Sequence, residues 1–254
     1  MPLTREQARN HHKAMDLVAA DRDLTRKEKE FVLDHYQPSA STTQALDGAF
    51  FTPREMAREL ATYDIGGDRP GERIIDLGAG IGRLAFEAVH ADWRDREDLP
   101  LGEMVCVEKN PEYVRVGRRV LPEATWLCHD LLDAADMDLG LFDCAISNPP
   151  FGAISRSRDS AAYRPRQFEY HAIATAARVA RRGIFIVPRT SVHEEHPSQR
   201  TTSCLRFTRE TGIELKTTWM DADAWRDQWG GPTPRVTVVS ADFHHPGLRT
   251  PNAA

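Results

Sequence analysis

The sequence predicts an α/β fold: a doubly wound, mostly parallel sheet with a helical arm at its N-terminus. Three observations carry that expectation. From Glu72 onward, short apolar runs alternate with helical stretches, as successive β and α units do. The first five apolar runs are near-continuous, as strands covered on both faces require. The last two are longer and alternate in polarity around the polar residues 221–234, which suits an antiparallel hairpin.

The elements follow in order. Thr4 with Gln7, Thr25 with Glu28 and Thr52 with Glu55 each fit a capping box, in which the Thr oxygen accepts from an early backbone N–H. They predict helices over about residues 5–20 and 26–36, with Pro38 stopping the second. A third starts at Pro53, whose missing N–H costs nothing in the first helical position. A Ser/Thr/Gln-rich connector occupies residues 37–47. Residues 1–45 are expected to be the helical arm, residues 46–243 the catalytic domain and residues 244–254 a flexible tail. Candidate strands are residues 73–77, 104–108, 125–129, 142–147, 183–188, 213–220 and 235–243. Helices fit between them at 83–91, 111–120 and 168–181.

With 254 residues the chain buries enough surface to fold without disulfides or a structural metal. Its 33 Lys/Arg against 38 Asp/Glu, a net charge of −5, exclude a globally basic nucleic-acid coat but not a local basic face. Residues 148–254 hold 15 Lys/Arg and 10 Asp/Glu, whereas residues 1–147 hold 18 and 28, so an anionic partner is expected on the C-terminal part. Cys106, Cys128, Cys144 and Cys204 show no metal-site spacing, and three of them sit inside apolar, strand-like runs where a free Cys reads as a small buried hydrophobe. The polar N-terminus has no secretory pattern, and no apolar run approaches a membrane span. A soluble, reduced, cytoplasmic protein is expected.

The sharpest local signal is Asp76-Leu-Gly78-Ala-Gly80-Ile-Gly82, a strand running through glycines into a helix. Glycines there permit a tight turn and let a ligand approach the main chain and the helix N-terminus. The spacing is not Gly-x-Gly-x-x-Gly, so a nicotinamide cofactor is disfavoured, and a phosphate loop lacks its Gly-Lys-Ser/Thr. Asp76 suits a cationic or hydroxyl-bearing ligand. The next strand ends in Glu108, placed to accept both hydroxyls of a ribose; a solvated surface Glu is the competing reading. The third delivers Asp130, which can accept from an adenine amino group or cap the segment after it. Acidic and Gly-rich strand tips along one carboxyl edge point to an adenosine-bearing cofactor.

The fourth strand runs into Asn148-Pro149-Pro150-Phe151-Gly152. The prolines stiffen the backbone and donate nothing. The Asn148 and Pro149 carbonyls and the Asn148 side-chain oxygen become fixed acceptors, with the Phe151 ring beside them. That array suits a planar NH2 group; a rigid turn with Phe151 in the core is the alternative.

The glycine loop followed by Asn-Pro-Pro-Phe resembles the class I S-adenosylmethionine-dependent methyltransferases, specifically the N6-adenine group. The upstream Gly48-Ala-Phe-Phe51-Thr52-Pro53 is similar to the motif preceding the glycine loop in gamma-type DNA adenine methyltransferases, including type I modification subunits. The resemblance spans about residues 46–243. It implies a Rossmann-like seven-stranded sheet with its last strand antiparallel, and S-adenosyl-L-methionine as cofactor. By the same likeness, Phe51, Thr52 and Pro53 would line the cofactor's methionine end. Asp76, Gly78 and Gly80 would cradle the methionine portion, Glu108 the ribose and Asp130 the adenine. Asn148 and Pro149 would hold the target amino group, with Phe151 stacking on the base and Pro150 stiffening the corner.

The expected reaction is methyl transfer to the adenine N6 amino group in DNA, without metal. RNA adenine, for which small ribosomal-RNA enzymes share the Asn-Pro-Pro-Phe-Gly string, and protein glutamine N5 are alternatives. So is a non-catalytic cofactor-binding subunit, although the intact acceptor array argues against it. Gamma-type enzymes usually carry a sizeable recognition region after the catalytic fold, and here few residues follow Pro188. Specificity is therefore expected from loops, the arm, RNA shape or a separate specificity subunit. Arg156, Arg158, Tyr163, Arg164 and Arg166, in a loop after the motif, are candidates for contacting phosphates and stacking a base. A solvated loop is the competing reading. His193-Glu-Glu-His196 lacks the spacing of a zinc helix.

Overall fold

The two N-terminal helices begin where their threonines cap them. Thr4 accepts from the Gln7 N–H while the Gln7 side chain returns to the Thr4 N–H at 2.9 Å, and Thr25 and Glu28 form the same reciprocal pair. These boxes satisfy N–H groups that a helix start leaves without intrahelical partners. They open α1 (Arg5–Ala19) and α2 (Arg26–His35). The computed structural model describes residues 3–37, 51–66, 70–91, 93–94, 99–159, 163–193, 200–229 and 235–243. The connector beyond residue 37, the tail at 244–254 and the Glu-Glu-His of residues 194–196 lie outside them.

The third expected box does not form. Helix α3 (Arg54–Tyr63) has Pro53 as its N-cap and no side-chain cap, since Thr52 lies one residue before the N-cap position; its hydroxyl accepts from Asn148 Nδ2.

Seven strands make one sheet in the order β3-β2-β1-β4-β5-β7-β6. Strands β1 (Arg73–Leu77), β2 (Glu103–Glu108), β3 (Thr125–Cys128), β4 (Phe142–Ser147) and β5 (Ala180–Pro188) run parallel. β7 (Val236–Asp242) lies antiparallel to β5, and β6 (Lys216–Thr217) pairs with its outer side. The strand order reverses between β1 and β4, so their carboxyl ends open the crevice where such sheets bind ligands.

Because strand side chains alternate in direction, each strand feeds two cores. Ile74, Met104, Cys106, Cys144 and Ile146 face the layer of α1, α2, α3, α4 (Arg83–Val89) and α5 (Pro111–Val120). Ile75, Leu77, Val105, Ala145 and Phe185 face α6 (Phe168–Val179) and α8 (Thr202–Thr211), with the short α7 (Arg189–Val192) after β5. Helix α5 buries Tyr113, Val114, Val116, Gly117 and Val120, a single stripe. Gly117 cannot be larger: a Cβ there would meet the Trp126 ring at 2.1 Å. Cys106, Cys144 and Cys204 are buried as small hydrophobes, whereas Cys128 is exposed at the end of β3.

Two strands depart from expectation. β5 begins three residues early because α6 runs straight into it, Ala180 pairing with Phe142. There Arg182 donates to the carbonyls of Asp64, Ile65 and Gly66 at 3.0, 2.7 and 3.1 Å, tying the foot of α3 to the sheet. Of residues 213–220 only Lys216 and Thr217 pair; Ile213 and Leu215 turn into the core, and Arg200 takes the Leu215 carbonyl at 2.7 Å.

Candidate active site

At the end of β1 the chain enters three residues of positive φ: Gly78 (+78°), Gly80 (+57°) and Gly82 (+92°). A Cβ on Gly78 would lie 3.1 Å from Leu131, and one on Gly80 3.0 Å from Phe51. Backbone conformation and close neighbours thus both demand glycine. The loop is pinned to the next strand, since the Gly78 N–H donates to the Val107 carbonyl at 2.8 Å and the Gly80 N–H to Glu108 Oε2 at 2.9 Å. Glu108 Oε1 accepts from the Asn110 N–H at 2.8 Å, so one carboxylate joins both tips.

Asp76 sits just inside this loop, 1% exposed, and neither carboxylate oxygen has a hydrogen-bond partner. Burial pushes its pKa up to about 8. The nearby Ala85 N–H, outside hydrogen-bond geometry, pulls it back, and the Glu108 charge pushes it further. Asp130 acts as the alternative reading had it: Oδ1 caps the 3-10 turn Leu131–Asp136 through the Leu132 N–H at 2.9 Å. Its Oδ2 accepts from Ser157 at 2.8 Å, which draws the loop after the fourth strand against the tip of the third.

Opposite the glycines stands Asn148. Its Nδ2 donates to Thr52 Oγ1 at 3.1 Å, fixing the amide so that Oδ1 is the acceptor it can offer a ligand. Phe51, Thr52, Asp76, Gly78, Gly80, Glu108, Asp130, Asn148, Pro150 and Arg156 all line one cleft of about 560 Å³. Pro53 and Pro149 are buried and do not reach its wall. Phe151 does not line it either; it is half-buried and packs against the first core without being one of its buried members.

Tyr113 and Arg83 of the wall, and Tyr36 packed against it, escaped the sequence reading. Tyr113 and Phe51 meet edge to face at 5.5 Å, and Tyr36 of the arm closes the group at 6.0 Å from each. Tyr36 donates to Glu112 at 3.1 Å. Arg83, 6% exposed, lines the cleft while pairing with Asp34 of α2 and, at 3.3 Å, with Glu87. Tyr113 was visible as part of an apolar helical stripe. Arg83 is held at the wall by Asp34, 49 residues away, and Tyr36 packs on Tyr113, 77 residues away; no local pattern reports either contact.

The Arg-rich loop divides. Arg156 lines the cleft and bonds Asp159 at 2.7 Å; Arg158 pairs with Asp136 at 2.7 Å and donates to the Leu132 carbonyl at 2.6 Å. Arg164 and Arg166 are exposed, and Arg156, Arg158 and Arg166 share a polar recess of about 470 Å³ beside the cleft. Tyr163 does not stand at the mouth. It is 1% exposed, its ring packed on Tyr170, His171 and Phe207 at 5.4, 5.3 and 5.1 Å. Burying an aromatic ring among others outweighs leaving it wet in a loop. Among the described residues no group of three or more His, Cys, Asp or Glu is arranged to hold a metal, and no helix is long and apolar enough to cross a membrane.

No family model and no curated protein sequence matches this chain. Solved structures do. A Listeria monocytogenes protein assigned to the class I S-adenosylmethionine-dependent methyltransferases superposes over 89% of this chain and 69% of its own, at a TM-score of 0.62 and 13% identity.

The fold is the class I methyltransferase fold.

The methyltransferase subunit of a type I restriction-modification system from Streptococcus thermophilus shares it at a TM-score of 0.58 and 14% identity. That match covers 89% of this chain and 52% of the subunit, so the chain spans about half of the longer protein. A 23S ribosomal RNA methyltransferase shares it at 0.52 and 14% identity, over 77% of this chain and 70% of that one. Within this fold the crevice of Asp76, the glycine loop and Asn148 lies at the switch between β1 and β4.

Proposed function

We propose that this chain is an S-adenosyl-L-methionine-dependent methyltransferase that methylates the exocyclic N6 amino group of adenine in DNA. The observation that carries the proposal is the Thr52-held Asn148 amide on the same cleft wall system as the glycine loop. The residues fit the cofactor. Asp76 offers a buried carboxyl with neither oxygen partnered, and Gly78 and Gly80 leave room that a Cβ would fill.

When bound, the group supplies a methyl carbon made electrophilic by its sulfonium. Asp76 would meet the cofactor's ammonium, and the Glu108 oxygens, each already taking one N–H, retain lone pairs for ribose hydroxyls. Asp130 and Leu131 flank the adenine end, and Phe51 with Tyr113 exclude water from the methionine end. Asn148 Oδ1 accepts a hydrogen of the target amine and stabilises positive charge developing on nitrogen; Pro149, buried off the wall, stiffens the corner that carries it. Alignment of that amine is the main catalytic contribution.

The recess of Arg156, Arg158 and Arg166 supplies cations for phosphates flanking a flipped base, an extrusion costing a few kcal/mol that backbone contacts help offset. A separate specificity subunit belongs to the same proposal. The deciding experiment incubates the purified chain and Asn148→Ala with methyl-labelled cofactor and, separately, duplex DNA, ribosomal RNA and total protein. N6-methyladenine in DNA, absent with Asn148→Ala, is the expected product. Label in RNA or on glutamine moves the substrate, and equal activity of Asn148→Ala overturns the site.

A further inference from the structure

Beyond Asn148 the motif chain has a second anchor that the cleft does not contain. Glu169 is 0% exposed, the second residue of α6, in a helix otherwise facing the core of Tyr170, Ile173 and Ala176. Its Oε2 accepts from the backbone N–H of Gly152 at 2.8 Å, and its Oε1 from the Ser191 hydroxyl at 2.5 Å. The Gly152 carbonyl in turn accepts from the Phe168 N–H at 2.9 Å, besides the Ile154 N–H at 3.1 Å, so both backbone polar groups of that residue are tied to the first turn of α6. Gly152 holds φ +76°, a conformation in which glycine alone is at ease. Ser191 is itself fixed, its carbonyl accepting from Tyr170 and, at 3.1 Å, from Thr201.

A buried carboxylate is costly unless its oxygens are satisfied, and here each has a donor whose place is set by another element. We infer that Glu169 is a positioning residue for the Asn-Pro-Pro-Phe corner: it fixes the Gly152 end while Thr52 fixes the Asn148 end. This rests on the methyl-transfer reading of the cleft. With prolines at 149 and 150 the segment between the anchors is stiff, so displacement of Gly152 is passed back to the Asn148 and Pro149 carbonyls rather than absorbed.

The test compares Glu169→Met, of similar length without strong acceptors, with Glu169→Gln. The Gln carbonyl can still take the Gly152 N–H while its amide donates to Ser191, whose hydroxyl reverses role. Three quantities are read on the full chain: turnover with the proposed amine substrate, cofactor Kd by calorimetry, and hydrogen exchange of the Gly152 amide by NMR. Expected for Glu169→Met is faster exchange at Gly152, kcat lower by about 10- to 100-fold and cofactor Kd nearly unchanged. Glu169→Gln is expected to restore all but a few-fold of kcat. Should the Met variant fail to fold, Glu169→Asp, which retracts the carboxylate by one methylene, takes its place in the comparison. Unchanged kcat despite a freed Gly152 amide overturns the inference, as does a loss of cofactor affinity matching the loss of kcat. If the wild-type chain methylates no acceptor, the functional proposal falls. Glu169 is then judged by exchange alone: protection lost with Met and regained with Gln upholds the anchor, and unaltered protection overturns it.

Discussion

The Asn148 amide and the Thr52 hydroxyl meet at 3.1 Å across 96 residues of chain, joining the residue before the N-cap of α3 to the tip of β4. Both residues line the cleft, so the bond couples two of its walls.

Thr52→Val keeps the shape and removes the acceptor. Turnover is expected to fall about three- to tenfold, the worth of one neutral hydrogen bond, with cofactor Kd and Tm little changed. Thr52→Ser is expected to recover it. Single-turnover kinetics separate the two, and a Val variant as fast as wild type would remove Thr52 from the site.

Asp76 predicts a pH dependence. Its folded pKa of about 8 lies above the ordinary 3.8, so the protonated carboxyl is favoured in the fold. The stability linked to it is fully present below about pH 4 and is lost as pH rises through about 8. Asp76→Asn is expected to flatten this part of the curve, its Tm gaining on wild type between pH 4 and 8; parallel melting curves would contradict the assignment. Cofactor that pairs with the ionised carboxylate should bind more tightly as pH climbs toward 8 and release up to about one proton on binding at pH 7, which calorimetry in buffers of different ionisation enthalpy measures.

Gly80→Ala imposes a side chain at φ +57° and brings its Cβ to 3.0 Å from Phe51. The strain is about 1 kcal/mol, but the larger effect is on the cleft, where Phe51 must shift. Cofactor affinity is expected to drop at least about tenfold while far-ultraviolet dichroism stays unchanged; titration of the variant with unaltered affinity would show that the cradle is not used.

Arg164 and Arg166 are exposed, whereas Arg158 is committed to Asp136 and Arg156 to Asp159. Arg164→Ala and Arg166→Ala are each expected to weaken nucleic-acid binding without regard to sequence and to lower the salt slope by about one. Binding isotherms at several salt concentrations check this, and an unchanged slope would place the phosphates elsewhere.

Strands buried on both faces and the glycine loop were legible in the sequence because each depends on its own few residues. β1, β4 and α5 lie where periodicity puts them. Tyr163 was misplaced because its neighbours in sequence are polar while its neighbours in space are Tyr170 and Phe207. Phe151 had both readings open in the sequence, and in the fold it stands half-buried at the edge of the first core. Arg83 gained the cleft wall, and Tyr36 its place against Phe51, through tertiary partners that no spacing rule contains.

The peptide hydrogen bond between Gly152 and Phe168 staples together the two ends of residues 153–167. Lengthening that stretch twofold would add only about 0.6 kcal/mol of closure entropy. Insertions are cheapest between its fastenings, which Ser157 makes to Asp130, Arg158 to Asp136 and Tyr163 to the second core. Chemistry and target choice can therefore diverge at different speeds in this scaffold: the corner stays put while the positions between those fastenings vary.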